Sequence, residues 1–151
     1  MKLKISDHRS GAKIIPTYIQ EEVRNAISQS KSLTKATPAR SSILQVLRSK
    51  HGWSDETALS PDAKISIPAR KGDVALCVQT GNMGRFYADL LKLEYLFNED
   101  LIKGAVYVLA LKELAKQWGE NIANFERFTN EVRIFSKILH TPLVIFGIPQ
   151  K

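Results

Sequence analysis

Residues 73–82 read Asp73-Val74-Ala75-Leu76-Cys77-Val78-Gln79-Thr80-Gly81-Asn82. Val74, Leu76, Val78 and Thr80 alternate with Asp73, Ala75, Cys77 and Gln79, the period of two that a strand imposes on its side chains. One face is apolar. The other carries Cys77 and Gln79 two positions apart, so the pattern predicts a strand displaying a functional pair on one side. Gly81-Asn82 predicts the turn out of that strand, since Gly allows positive φ and Asn tolerates it.

Beyond the turn, Phe86, Leu90, Leu91, Leu93, Tyr95, Leu96 and Phe97 recur at helical spacing to about residue 98, in an arc wide enough to pack on two sides. Ala105-Val106-Tyr107-Val108-Leu109 is a near-continuous apolar run, which predicts a strand buried on both faces and completes a right-handed βαβ unit. Glu113 to Trp118 predicts a short helix, Asn124-Phe125-Glu126 opens a longer one through Leu139, and Leu143-Val144-Ile145-Phe146 reads as a last buried strand. Upstream, Lys64 to Pro68 and the Asp73 strand flank the turn-like Ala69-Arg70-Lys71-Gly72, predicting an antiparallel hairpin whose first strand Pro68 confines to an edge or to its end. Ile15, Ile19, Val23 and Ile27 predict a helix from Pro16 to about Ser28. Thr37-Pro38, as N-cap and first helical residue, opens a second helix that stops near Gly52. Residues 1–7, with Leu3 and Ile5 alternating, read as a short edge strand. The expected architecture is a single α/β domain over 1–151, a mixed sheet with helices on both faces, with a helical part at about 12–52 and a core at about 62–148.

Composition narrows the function. At 151 residues, 44% hydrophobic and 25% charged, the chain has the profile of an ordinary soluble domain, which excludes collagen-like and disordered classes. No run approaches the ~18 apolar residues of a membrane span, and the opening lacks the apolar segment of a signal peptide, so a cytoplasmic protein with no membrane partner is expected. A single cysteine excludes a disulfide framework or a multi-thiolate zinc site within one chain. The net charge of +7 points to a polyanionic partner such as nucleic acid. Arg24, Lys31, Lys35, Arg40, Arg48 and Lys50 follow one another with no acid between Glu22 and Asp55, although a solvated surface accounts for the same run.

The stretch Val74 to Asn82, the helix after it, the strand at Val106 to Leu109, Leu111-Lys112-Glu113-Leu114, Asn124-Phe125-Glu126 and Val144-Ile145-Phe146-Gly147 resemble, in that order, the catalytic core of the BamHI and BglII type of type II restriction endonuclease. The opening Met1 to Asp7 is similar to the start of the BglII type, and the resemblance covers most of the chain from residue 64 onward. It implies a restriction-endonuclease-like PD-(D/E)XK fold, a homodimer on palindromic duplex DNA, and Mg²⁺-dependent hydrolysis of phosphodiesters. It further implies a metal-binding aspartate on the first hairpin strand and a glutamate on the second, with a Glu, Gln or Lys two residues later that assists the attacking water. Magnesium is a hard ion that takes oxygen ligands in octahedral array, and residues i and i+2 of a strand share a face.

This sequence departs from that pattern at its centre. Cys77 stands where the family has the glutamate, Gln79 keeps the final position, and the aspartate position falls on Ser66 or Pro68 according to register. A thiol with a pKa of about 8.5 is mostly neutral at pH 7 and soft, hence a poor magnesium ligand. Four acids are candidates to rebuild the site: Asp62 by its spacing ahead of Cys77, Glu94 on the following helix, and Glu21 or Glu22 on the N-terminal helix. As a nucleophile, Cys77 lacks a histidine signature beside it and reads better as a small buried hydrophobe. Asn82 and Arg85 at the start of the following helix are placed for a phosphate, with Lys31, Lys35, Arg40, Arg70 and Lys71 as further DNA-backbone contacts. Three functions stay open: a DNA-binding protein with a degenerate metal site, an active Mg²⁺-dependent endonuclease, and a protein-interaction module with a basic surface.

Overall fold

The computed structural model describes residues 2–62 and 64–150; Met1, where the opening stretch begins, Ala63 and Lys151 lie outside the described residues. The elements begin with β1 (Lys4–His8), α1 (Gly11–Ile14), α2 (Thr17–Gln29), α3 (Ala36–His51), β2 (Thr57–Ala58) and β3 (Ser66–Ile67). They continue with β4 (Ala69–Lys71), β5 (Val74–Val78), α4 (Arg85–Asn98), β6 (Gly104–Ala110), α5 (Lys112–Trp118), α6 (Phe125–Ile134) and β7 (Leu143–Ile148). The main sheet has the order β1-β7-β6-β5-β4, and β2 pairs with β3 beside it. β5, β6 and β7 run parallel at its centre, with β1 and β4 antiparallel on the two edges.

Alternation along the central strands divides the interior in two. Val74, Leu76, Val78, Val106, Val108, Val144 and Phe146 pack with α2 and α3 on one face. Ala75, Cys77, Ala105, Tyr107, Leu109 and Ile145 pack with α4 and α6 on the other. The expected functional face of β5 is therefore a second buried face, since all five of its residues are buried and Cys77 is 1% exposed. On this side Tyr107, directly opposite Cys77 in the parallel register, stacks on Phe128 at 4.1 Å, and Phe128 meets Phe86 edge-on at 5.2 Å. Such pairs add about 1 kcal/mol beyond the area they bury.

Several boundaries differ from the sequence expectation. The hairpin is formed by β4 and β5 around Gly72-Asp73, and residues 69–71, expected as its turn, are the strand β4. Pro68 has no N–H to continue a ladder, so it separates β3 from β4 and leaves β3 to pair with the upstream β2. Gly72, at φ +58°, takes the first position of a two-residue turn that a side chain would strain. α3 begins at Ala36 with Lys35 as its N-cap, and Thr37 does not cap it. Pro38 sits within its first turn at no loss, because first-turn N–H groups have no partner in the helix. α6 ends at Ile134, and tight turns carry the chain on to the buried Leu139. α4 packs on one side only, burying Phe86, Leu90, Leu93 and Leu96 while Leu91 is 72% exposed. No helix among the described residues is long and apolar enough to cross a membrane.

Two contacts fix the helices on the sheet. Gly11 lies against the β7 backbone so closely that a Cβ there would stand 2.0 Å from the Leu143 carbonyl oxygen. On the other face, the Glu94 carboxylate of α4 clamps the segment leading into β7. It accepts from the Thr141 hydroxyl at 2.7 Å and from the backbone N–H groups of His140 and Thr141 at 2.9 and 3.0 Å, while its second oxygen lies 2.8 Å from His140 Nδ1. Desolvation raises the Glu94 pKa, but the hydrogen bonds from Thr141 and His140 outweigh it and hold the group below the ordinary glutamate range. Gly11→Ala is expected to lower the unfolding free energy by about 3 kcal/mol in denaturant titration, the upper end for overpacking against immobile atoms. Glu94→Ala is expected to lower it by about 2 kcal/mol at neutral pH. Because a lowered carboxyl pKa contributes stability above the unfolded value, the two proteins converge as pH falls through the folded-state pKa of Glu94; a difference that persists in acid contradicts the clamp.

Candidate functional site

Where β5 ends, the chain makes one more ladder bond, Gln79 N–H to the Val108 carbonyl at 2.9 Å, and then turns away through Gly81 toward α4. The exit opens on a cavity of about 600 Å³. Its floor is Cys77, Gln79 and Thr80; one wall is the start of α3, with Thr37, Arg40 and Ser41, the other is the start of α4, with Arg85, Asp89 and Lys92, and Ser66, Pro68 and Glu56 close the side toward β3. Arg40 reaches this place by donating from Nε to the Val78 carbonyl at 3.2 Å, which ties α3 to the end of β5. Arg85 folds back over Gly81, where a Cβ would come within 3.2 Å of the arginine Cδ.

Asp89 is the centre of the polar contacts. One carboxylate oxygen accepts from Gln79 Nε2 and from the Tyr107 hydroxyl, both at 2.6 Å, and the other lies 4.0 Å from Lys92 Nζ. Gln79 is pinned at both ends, because its Oε1 accepts from the Gly81 N–H at 2.9 Å. Burial, then the nearby Asp89 carboxylate, pushes the Cys77 thiol up, with Lys92 and Arg40 opposing. Tyr107 is raised for the same two leading reasons. Both groups are therefore neutral at physiological pH, Tyr107 as a donor to Asp89 and Cys77 as a wall of the cavity.

The expected site residues separate into two groups. Ser66, Cys77, Gln79, Arg40 and Arg85 meet at the cavity. Glu94 does not line it and is occupied by His140 and Thr141. Glu22 binds Lys71 Nζ through both oxygens and accepts from Trp53 Nε1 at 3.4 Å, so these residues lock α2 to the β4 hairpin. Glu21 is exposed and faces Arg24 at 3.5 Å, and Asp62 lies exposed in the turn before β3, outside the cavity lining. Arg70 donates to the carbonyls of Gly72 and Leu101, bracing the hairpin. Asn82 accepts from the Gly84 N–H at 2.9 Å at the entry to α4, while Lys31 and Lys35 are exposed ahead of and at the start of α3. Asp89 and Lys92 complete the cavity without being among the expected site residues. Their signal is the spacing Arg85, Asp89, Lys92, one polar face of α4 hidden among its more conspicuous apolar positions.

A magnesium ion requires several oxygen donors around one point. At the β5 end the cavity offers a neutral thiol at Cys77, a proline at residue 68 and the Ser66 hydroxyl; its two carboxylates are Asp89, already held by an amide and a phenol, and the exposed Glu56 on the side toward β3. Among the described residues no three His, Cys, Asp or Glu side chains form a group that could hold a metal. The residues present do not fit the ion.

A family model described as restriction endonuclease BglII/BglIII matches residues 3–148. Among solved structures, restriction endonuclease BglII complexed with a DNA 16-mer superposes with a TM-score of 0.88 at 14% identity, over 100% of this chain and 79% of that one. Free BglII superposes with a TM-score of 0.78 at 16% identity, over 100% of this chain and 81% of that one. No curated protein matches. The mixed sheet flanked by helices is thus the fold of the BglII structures, and the chain belongs to the BglII/BglIII restriction endonuclease family.

Proposed function

We propose that this protein binds duplex DNA as a homodimer in the cytoplasm, and that its capacity to hydrolyse phosphodiesters is absent or much reduced. The observation that supports the reading most is the donor set at the end of β5. Where the family pattern places two metal-binding carboxylates, this chain has the buried thiol of Cys77 and, across from it, Ser66 and Pro68. Gln79, the position that assists the attacking water in that pattern, has both ends of its amide engaged, Nε2 donating to Asp89 and Oε1 accepting from the Gly81 N–H.

The DNA-binding half rests on charge and on family. Arg40 and Arg85 stand at the cavity, Lys31 and Lys35 are exposed beside α3, and Asn82 stands at the turn into α4. Cations arranged this way release counterions from a phosphate backbone and carry affinity without base recognition. The BglII structure it resembles is complexed with DNA, and a two-fold dimer matches a palindromic duplex. Arg70 and Lys71 are secondary in this reading, since both brace the hairpin.

A second reading, an active Mg²⁺-dependent endonuclease, is favoured by one observation: Asp89, a carboxylate inside the cavity and hydrogen-bonded to Gln79. Incubation of the unmodified protein with plasmid in Mg²⁺ or Mn²⁺, beside a Cys77→Glu variant and an Asp89→Asn variant, separates the two. No discrete fragments are expected from the unmodified chain. Fragments that vanish with Asp89→Asn, a loss of about 100-fold or more as for other groups that stabilise a transition state, place the chemistry on a rebuilt site and overturn the inactive reading.

A further inference from the structure

The cavity that lacks a carboxylate cage is rich in cations instead. Arg40, Arg85 and Lys92 line it against Asp89 and Glu56, so the charged side chains leave one net positive charge. Each cation also keeps donors free. Arg40 spends Nε on the Val78 carbonyl and retains its terminal guanidinium N–H groups. Lys92 Nζ lies 4.0 Å from Asp89, an electrostatic pairing too long for a hydrogen bond, which leaves the ammonium's N–H groups for a ligand. Arg85 is in the first turn of α4, where a cation is opposed by the helix dipole and gains most from an anionic partner. Asp89, fixed by Gln79 and Tyr107, anchors Lys92 on the cavity side of α4.

We propose that this cavity is a metal-independent seat for a DNA phosphate, in which the Lys92 ammonium and the Arg40 and Arg85 guanidiniums supply the positive charge that a divalent ion supplies in a carboxylate-lined site. The proposal rests on the DNA-binding reading above and goes beyond it by naming where a backbone phosphate sits, what neutralises it, and why no metal is required. Guanidinium groups are suited to the task, because their planar forks match two phosphate oxygens at once.

The test is fluorescence anisotropy of a labelled duplex with the full chain, in EDTA and in Mg²⁺ at matched ionic strength, across a salt series. Equal affinity is expected in both buffers. Lys92→Gln and Arg85→Ala are each expected to weaken binding about tenfold and to flatten the slope of log K against log salt by about one. Circular dichroism checks that each variant is folded; should Lys92→Gln fail to fold, the exposed Arg85 carries the test alone. Variants that are folded and bind as tightly as the unmodified chain overturn the phosphate seat while leaving DNA binding intact. Binding that requires Mg²⁺ overturns metal independence. Failure of the unmodified chain to bind duplex DNA overturns the seat together with the reading beneath it.

Discussion

The central strands β5, β6 and β7 are buried on both faces, and this constrains everything else in the molecule. Their backbone groups are satisfied in parallel ladders and their side chains by two separate cores, so apart from the Tyr107 hydroxyl and the Cys77 thiol they present almost no polar groups along their length. Function is confined to where the strands stop. In open α/β sheets a ligand crevice forms outside the carboxyl ends of parallel strands, and here that edge is walled by α3 and α4. Gln79 is the first residue beyond β5 whose side chain escapes burial, which explains why one glutamine, rather than a face of the strand, belongs to the site.

Placing Asp89 at this edge has its own requirement. A mostly buried carboxylate needs hydrogen bonds and an opposite charge, since uncompensated burial of an ion costs several kcal/mol. The structure meets it from three elements: Gln79 after β5, Tyr107 from β6 and Lys92 one turn along α4. With burial, Asp89 holds Tyr107 protonated; it also orients Gln79 and pairs with Lys92, so a single acid organises the polar edge of a cavity whose remaining balance is cationic. After burial, which is the larger cause, the Asp89 charge also keeps Cys77 neutral, opposite Tyr107 in the parallel register.

What could be read in the sequence follows from how local each signal is. The alternation from Asp73 to Thr80, the runs at 105–109 and 143–146, the α4 periodicity and the stop near Gly52 depend on near neighbours, and they fall on β5, β6, β7, α4 and the end of α3. The hairpin was displaced because a proline and a glycine compete to set its register, and Gly72 determines the turn while Pro68 only ends a strand. Glu94 and Glu22 illustrate the harder case. Both are acids at plausible spacings, and their partners, 46 and 49 residues away or thereabouts in the chain, make them structural clamps. Asp89 was illegible for the converse reason: on a helix dominated by apolar positions its meaning comes only from Gln79 and Tyr107, which lie on other elements.

The charge pattern separates two tasks that an active nuclease combines. Holding a phosphate requires net positive potential, whereas hydrolysing it requires a metal, and a metal requires carboxylates. A carboxylate left without its ion would oppose a phosphate about 4 Å away by about 4 kcal/mol at an effective dielectric near 20, several hundredfold or more in affinity. Replacing only one acid is therefore the worst arrangement for binding, because the metal is weakened and the repulsion remains. In the proposed seat Cys77, Ser66 and Pro68 stand at the positions the family pattern gives to acids, and Arg40, Arg85 and Lys92 outnumber the two carboxylates that line the cavity, Asp89 and Glu56. On the proposed reading these features belong together: the residues that make this cavity a poor magnesium site are the same ones proposed to let it accept an anion without one.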